Sequence, residues 1–101
     1  MWTVIADPLV WSEDLARLDP PVRRRILQTF RTRLAVDPKA YGKPLREELS
    51  GWWKLRVGAY RVIYQIIEQR VEVLVLKVGL RRDFEVYREA LKRLQRIQSR
   101  A

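Results

Sequence analysis

The 101-residue chain contains neither cysteine nor histidine. Those absences exclude disulfide frameworks, zinc sites built from Cys and His, haem held by an imidazole, and every scheme that needs a thiolate or an imidazole. Any catalysis must run on other groups, and no metal or cofactor is expected. Nor does the chain hold a run approaching the roughly 18 to 20 consecutive apolar residues of a membrane span. Its first residues, Met1 to Asp7, show no cationic stretch followed by an apolar signal core, so a cytoplasmic protein without membrane attachment is expected. Negative charge is scarce: 21 Lys and Arg face 12 Asp and Glu, a formal charge of +9. The rest of the composition, 48% hydrophobic with no low-complexity tract, is that of a folded protein with one core, and a single domain over residues 1–101 is expected.

Local patterns divide the chain. Trp2, Val4 and Ile5 form a short apolar run ended by Asp7-Pro8, which reads as a strand. Trp11, Leu15 and Leu18 recur at helical spacing between Leu9 and Leu18, with Glu13, Asp14 and Arg17 on the wet side. Asp19-Pro20-Pro21 then ends one helix and starts another, Asp as a cap and Pro in a first turn. This second helix carries Val22, Ile26, Phe30 and Leu34 on one stripe until Asp37-Pro38 stops it. Lys39 to Gly51, punctuated by Gly42, Pro44 and Ser50-Gly51, reads as a connecting loop with one helical turn.

From Trp52 the period changes to two. Trp53, Leu55 and Val57 alternate with Trp52, Lys54 and Arg56, and Gly58-Ala59 turns the chain into a strand from Tyr60 to Ile67. After Glu68-Gln69, Val71, Val73 and Val75 alternate with Glu72, Leu74 and Leu76 in a third consecutive strand. Phe84, Tyr87, Leu91 and Leu94 mark a final amphipathic helix from about Asp83 to Gln98. The order βααβββα predicts an α+β domain: a mainly antiparallel sheet with an N-terminal helical hairpin and a C-terminal helix. Its helices are expected to cover one face and leave the other for a ligand.

Positive charge is unevenly spread along these elements. Residues 1–50 hold nine basic and seven acidic residues, and residues 51–101 hold twelve and five. Lys54, Arg56 and Arg61 fall on adjacent strands of one hairpin, and Arg81 and Arg82 follow the Gly79 turn, so the five are expected to converge. Such a cluster disfavours folding through like-charge repulsion, and a polyanion such as nucleic acid is the ligand that would neutralise it. Arg23 to Arg25 and the series Lys92, Arg93, Arg96 and Arg100 read instead as solvated helix faces with no site role.

The segment KPLREELSGWWKLRVGAYRVIY from Lys43 to Tyr64, followed by VLKVGLRRDFEVY from Val75 to Tyr87, resembles the RelE branch of the RelE/ParE toxin superfamily. The resemblance covers nearly the whole chain and implies a RelE-like fold. It also implies a toxin of a type II toxin–antitoxin system that enters the ribosomal A site and cuts messenger RNA during translation. The partners implied are the ribosome with its mRNA and a cognate antitoxin protein. In RelE-type toxins the working residues are basic groups on the hairpin, an Arg in its second strand, an Arg after the Gly turn and a Tyr in the final helix. These fall on Lys54, Arg61, Arg81 and Tyr87. The chain departs from the pattern at Trp52, where the best-studied members have a second Lys, and at Leu80, where many relatives are polar or basic.

Cleavage of RNA by its own 2′-hydroxyl requires that hydroxyl to lose its proton, the phosphorane to be stabilised and the departing 5′-oxygen to be protonated. Without histidine, Lys54 is the candidate base, Arg61 suits bidentate pairing with the scissile phosphate, and Arg81 suits the charge on the leaving oxygen. Tyr87 would stack a base or orient the 2′-hydroxyl. Arg56 and Arg82 would bind RNA phosphates, and Trp52, on the strand face of Lys54 and Arg56, would stack a nucleobase. Trp53, Leu55, Tyr60 and Tyr64 read as packing residues. Two alternatives stand beside this endoribonuclease: a ParE-like DNA gyrase inhibitor, which needs no catalytic cation cluster, and an RNA-binding toxin homologue without catalysis.

Overall fold

The computed structural model describes residues 1–82 and 84–100. Strand β1 (Thr3–Ala6) ends at Asp7, whose carboxylate accepts the Leu9 N–H at 2.9 Å and so turns the chain. The expected helix from Leu9 to Leu18 is shorter and more loosely wound, a π-helical turn over Val10–Leu15. In that winding residues four and five apart share a face. Val10, Asp14 and Leu15 therefore point inward, while Trp11, expected in the core, is 53% exposed.

Helix α1 (Pro20–Thr29) starts after Asp19 as expected, but the Asp19 side chain makes no cap bond. Arg23 does the joining: its guanidinium donates to the carbonyls of Leu15 (3.0 Å) and Leu18 (2.9 Å), closing the end of the preceding turn. It is not a solvated face residue. A second π-helical turn, Phe30–Leu34, extends α1 and buries Phe30 and Leu34. The segment expected as a loop then holds three short pieces. They are helix α2 (Pro38–Tyr41), capped by the Asp37 carboxylate on the Ala40 N–H, strand β2 (Lys43–Pro44), and a 3₁₀ turn over Glu47–Leu49. Two residues, one of them proline, show no period in sequence, and proline is tolerated because β2 is an edge strand.

Strands β3 (Trp53–Val57), β4 (Tyr60–Ile67) and β5 (Glu72–Leu80) complete a sheet of order β1-β5-β4-β3-β2. All neighbours are antiparallel except β1 with β5, where Thr3 lies opposite Glu72. The β3–β4 turn sits at Gly58-Ala59 as the sequence indicates, with Gly58 at φ 60, a conformation glycine adopts without strain. A bulge between Ile63 and Tyr64 in the β4–β5 ladder pairs Ile63 with Lys77 but Tyr64 with Val75. One residue, Leu76, is thereby skipped, so Lys77 and then Gly79 come onto the face that strict alternation would deny them.

Helix α3 (Glu85–Arg100) follows; the expected start at Asp83 lies outside the described residues. It corrects the expectation that helices cover one face only. The N-terminal helices pack on Leu55, Val57, Val62, Tyr64, Val73 and Val75, whereas α3 lays Val86 and Ala90 on Ile63 and Leu76 of the opposite face. The free part of that second face is the end beyond the N-terminus of α3.

One polar group ties both layers together. Asp14, expected to be wet, has a side chain 1% exposed and accepts four hydrogen bonds: from Lys77, from the Val78 N–H and from both terminal nitrogens of Arg93, at 2.8 to 3.1 Å. Arg93, expected on a solvated face, is 6% exposed and also donates to the Leu76 carbonyl. β5 extends past the end of β1, and Asp14 satisfies the edge that is left.

Tyr64 anchors the other end of the sheet, fully buried, with its hydroxyl donating to the Pro38 carbonyl at 2.6 Å. Burial pushes its phenol above the ordinary range, which keeps the donor proton in place. A Cβ at Gly42 would overlap that hydroxyl and lie 3.0 Å from the Lys54 carbonyl oxygen. Gly42→Ala is therefore expected to destabilise the protein by about 1–3 kcal/mol, the range for overpacking, as read by urea denaturation.

Candidate active site

Alternation on β3 and β4 sends Trp52, Lys54 and Arg56 to the α3 face together with Arg61 and Ile63, while Leu55, Val57 and Tyr64 join the opposite core. Arg56 stands directly across from Arg61, and Arg61 directly across from Gly79. Like charges at facing positions disfavour a sheet, so this pair is not a stability device. Gly79 matters by what it lacks: a Cβ there would meet Val86 at 3.2 Å, so glycine lets the first turn of α3 close onto the sheet beside Arg61.

The result is a cleft of about 330 Å³ lined by Tyr41, Lys43, Lys54, Arg56, Arg61 and Arg81. Among the described residues no acidic side chain lines it and none of its cations takes part in an ion pair. Arg61 is held by its NH1 donating to the carbonyls of Tyr60 (3.0 Å) and Gly58 (3.3 Å). Arg81 is held by its backbone N–H on the Ala59 carbonyl at 3.1 Å and by its guanidinium 4.8 Å above the Phe84 ring. Fixed cations converging on one cleft suit the oxygens of a phosphate.

Lys54 lines a second recess as well, of about 380 Å³, shared with Leu45, Phe84, Tyr87 and Arg88. Its ammonium lies 5.8 Å from the centre of the Tyr87 ring, and the rings of Phe84 and Tyr87 lie 6.2 Å apart. Tyr87 is half-buried, and its hydroxyl is buried without a hydrogen-bond partner among the described residues. A buried hydroxyl left unpaired costs about 1–3 kcal/mol, which favours a ligand that supplies the partner. Lys54, Arg61, Arg81 and Tyr87 thus meet at one place, with Arg56 beside them.

Two residues expected at this site lie elsewhere. Trp52 shares the face of Lys54, but it packs against the Ile63–Leu76 cluster and lines an apolar groove with Ile5, Leu94 and Ile97. Parity fixes which face a side chain takes, not how far along the strand the ligand extends, and the helix covers position 52. Arg82 is exposed and does not line the cleft; its carbonyl accepts the Glu85 N–H where α3 begins. Tyr41 and Lys43 are cleft residues that sequence reasoning missed. They sit on α2 and β2, and the Lys43 position becomes legible only through its pairing with Lys54.

Fold and cleft together define a small basic α+β protein with a cluster of cations next to a phenol. Against known families, residues 11–83 match the ParE toxin of the type II toxin–antitoxin system parDE. The chain is 36% identical over 75 residues to toxin RelG of Mycobacterium tuberculosis, covering 74% of this chain and 84% of that protein. To the mRNA interferase toxin RelE of Escherichia coli it is 51% identical over 41 residues, 41% of this chain and 43% of that one. The toxin–antitoxin complex RelBE2 of M. tuberculosis contains a chain that superposes with a TM-score of 0.75 at 32% identity, covering 79% of this chain and 91% of that one. The chain belongs to the ParE toxin family of type II toxin–antitoxin systems and, within the RelE/ParE superfamily, is a toxin of the RelE type.

Proposed function

We propose that the protein is an mRNA interferase: an endoribonuclease that acts in the cytoplasm, enters the ribosomal A site and cuts messenger RNA, with residues 1–101 acting as one toxin domain neutralised by a cognate antitoxin. The observation that carries this reading is the meeting of Lys54, Arg61 and Arg81 at one cationic cleft, with Lys54 also facing the Tyr87 ring of the neighbouring recess. The names of the RelE relatives support it. In this scheme Arg61 binds the scissile phosphate and Arg81 the charge that grows on the departing 5′-oxygen. Lys54, shared by both recesses, lies where the 2′-hydroxyl enters and stabilises the developing alkoxide, while Tyr87 orients the attacking nucleotide. Arg56 holds phosphate at the outer side. The 2′-hydroxyl gives its proton to solvent water as the bond from the 2′-oxygen to phosphorus forms, the bond to the 5′-oxygen breaks, and that oxygen takes a proton from water, leaving a cyclic phosphate and a 5′-hydroxyl.

A gyrase inhibitor working through protein contacts has no need of such a cluster, whereas an RNA-binding homologue without catalysis would use both cluster and phenol and is separated by the cleavage assay. Translating ribosomes incubated with the protein should yield messages cut in the A-site codon, and a message carrying 2′-deoxyribose at the cut position should stay whole. Intact messages on ribosomes exposed to folded toxin, or arrest of DNA replication ahead of protein synthesis on expression, would overturn the proposal.

A further inference from the structure

We propose that Arg25, together with the β3–β4 turn, forms a second phosphate-binding position beside the cleft, taking a phosphate of the RNA strand adjacent to the one held by Arg61. The inference rests on the reading of the cleft as an RNA site. Three guanidinium groups converge on this turn. Arg56 Nε lies 3.4 Å and Arg61 NH1 3.3 Å from the Gly58 carbonyl oxygen. Arg25 comes from α1, on the other side of the sheet, and its NH1 lies 3.2 Å from the position a Cβ on Gly58 would take.

The atoms nearest to that position belong to Arg25, so the guanidinium lies against the turn that Gly58 makes at its positive φ. Among the described residues none of the three arginines pairs with a carboxylate. Three cations around one turn repel one another, and an anion bound there reduces that repulsion while the guanidinium nitrogens not used on the Gly58 carbonyl supply donors. Arg56 and Arg61 also line the main cleft, so the turn continues the same cationic surface and gives a strand a second hold. A flexible single strand with one charge per nucleotide has the chemistry to occupy both positions at once.

Salt dependence counts such contacts. For single strands each neutralised phosphate contributes about 0.7 to the slope of log K against log salt concentration. With an oligonucleotide carrying 2′-deoxyribose at the cut position as probe, Arg25→Ala is expected to lower that slope by about 0.7. On programmed ribosomes the same variant should raise KM several-fold with kcat unchanged. Arg25→Lys should keep the wild-type slope, which a packing role for the guanidinium would not do. Arg24→Ala, on the same helix but turned about 100° away, should match the wild type. An unchanged slope and KM in Arg25→Ala, in a protein that still cuts RNA, overturns the second position and leaves the cleft assignment standing. Equal effects in Arg24→Ala overturn it in favour of a diffuse field. A wild-type protein that neither binds the oligonucleotide nor cuts RNA overturns both readings.

Discussion

Arg61→Ala and Arg81→Ala are each expected to lower ribosome-dependent cleavage by about 10²–10³-fold, the usual loss when one preorganised donor to a developing oxyanion is removed. Both guanidiniums are positioned before substrate arrives, that of Arg61 by two backbone carbonyls and that of Arg81 by the Phe84 ring, with the Arg81 backbone N–H fixed on the Ala59 carbonyl. Little reorganisation is then needed as charge builds on the phosphate. Stability should move the other way. Arg61 faces Arg56 across the ladder with no carboxylate between them, so removing its charge relieves repulsion. The expected signature is lost cleavage with an unchanged or slightly raised melting temperature, read by single-turnover assays and thermal unfolding of the same samples. Wild-type cleavage in a folded variant would remove that residue from the chemistry.

Asp14→Ala should have the largest effect on folding, about 3–5 kcal/mol, because removing one member of a buried ion cluster leaves the others charged and unpaired. Lys77 and Arg93 have side chains 7% exposed; among the described residues Glu89, itself 41% exposed, would still pair with Lys77, and Arg93 would lose its carboxylate. For a domain whose whole stability is of the order of 5–15 kcal/mol, that is a large fraction. Asp14→Asn keeps the shape and the acceptor for the Val78 N–H but loses the charge, so its cost should fall between wild type and alanine. Denaturant midpoints of the three proteins at equal m-value test this, and an Asp14→Ala midpoint equal to wild type would show the cluster to be dispensable.

The β3–β4 hairpin was legible because its two determinants are local. Period-two alternation sorts Leu55 and Val57 from Lys54 and Arg56, and a glycine stands where φ must be positive. Local order also foretold β1, α1 and α3, and the packing of buried Leu55 and Tyr64 and of half-buried Trp53 and Tyr60 on one core follows from the same alternation. β2 escaped because two residues define no period. Trp11 was misplaced because a π-helical turn rotates a helical face away from its ordinary spacing.

Charge was legible in amount and misleading in destination. An arginine on an amphipathic helix reads the same whether it meets water, a carboxylate 79 residues away or a turn of the opposite layer, yet Arg93 finds Asp14 and Arg25 finds Gly58. Trp52 and Lys54 carry the same strand parity, but only the seat of α3 puts one in an apolar groove and the other on the cleft. By itself the sequence determined the α+β class, the strand faces, the cationic hairpin and the exclusion of imidazole and thiol chemistry, since composition and nearest-neighbour geometry decide these. Tertiary structure alone decided which cations share the cleft, that Lys77 and Arg93 enter a buried ion cluster instead, and how closely Tyr87 approaches Lys54. Those outcomes depend on a bulge in the β4–β5 ladder and on the missing Cβ of Gly79, through which segments distant in the chain come into contact.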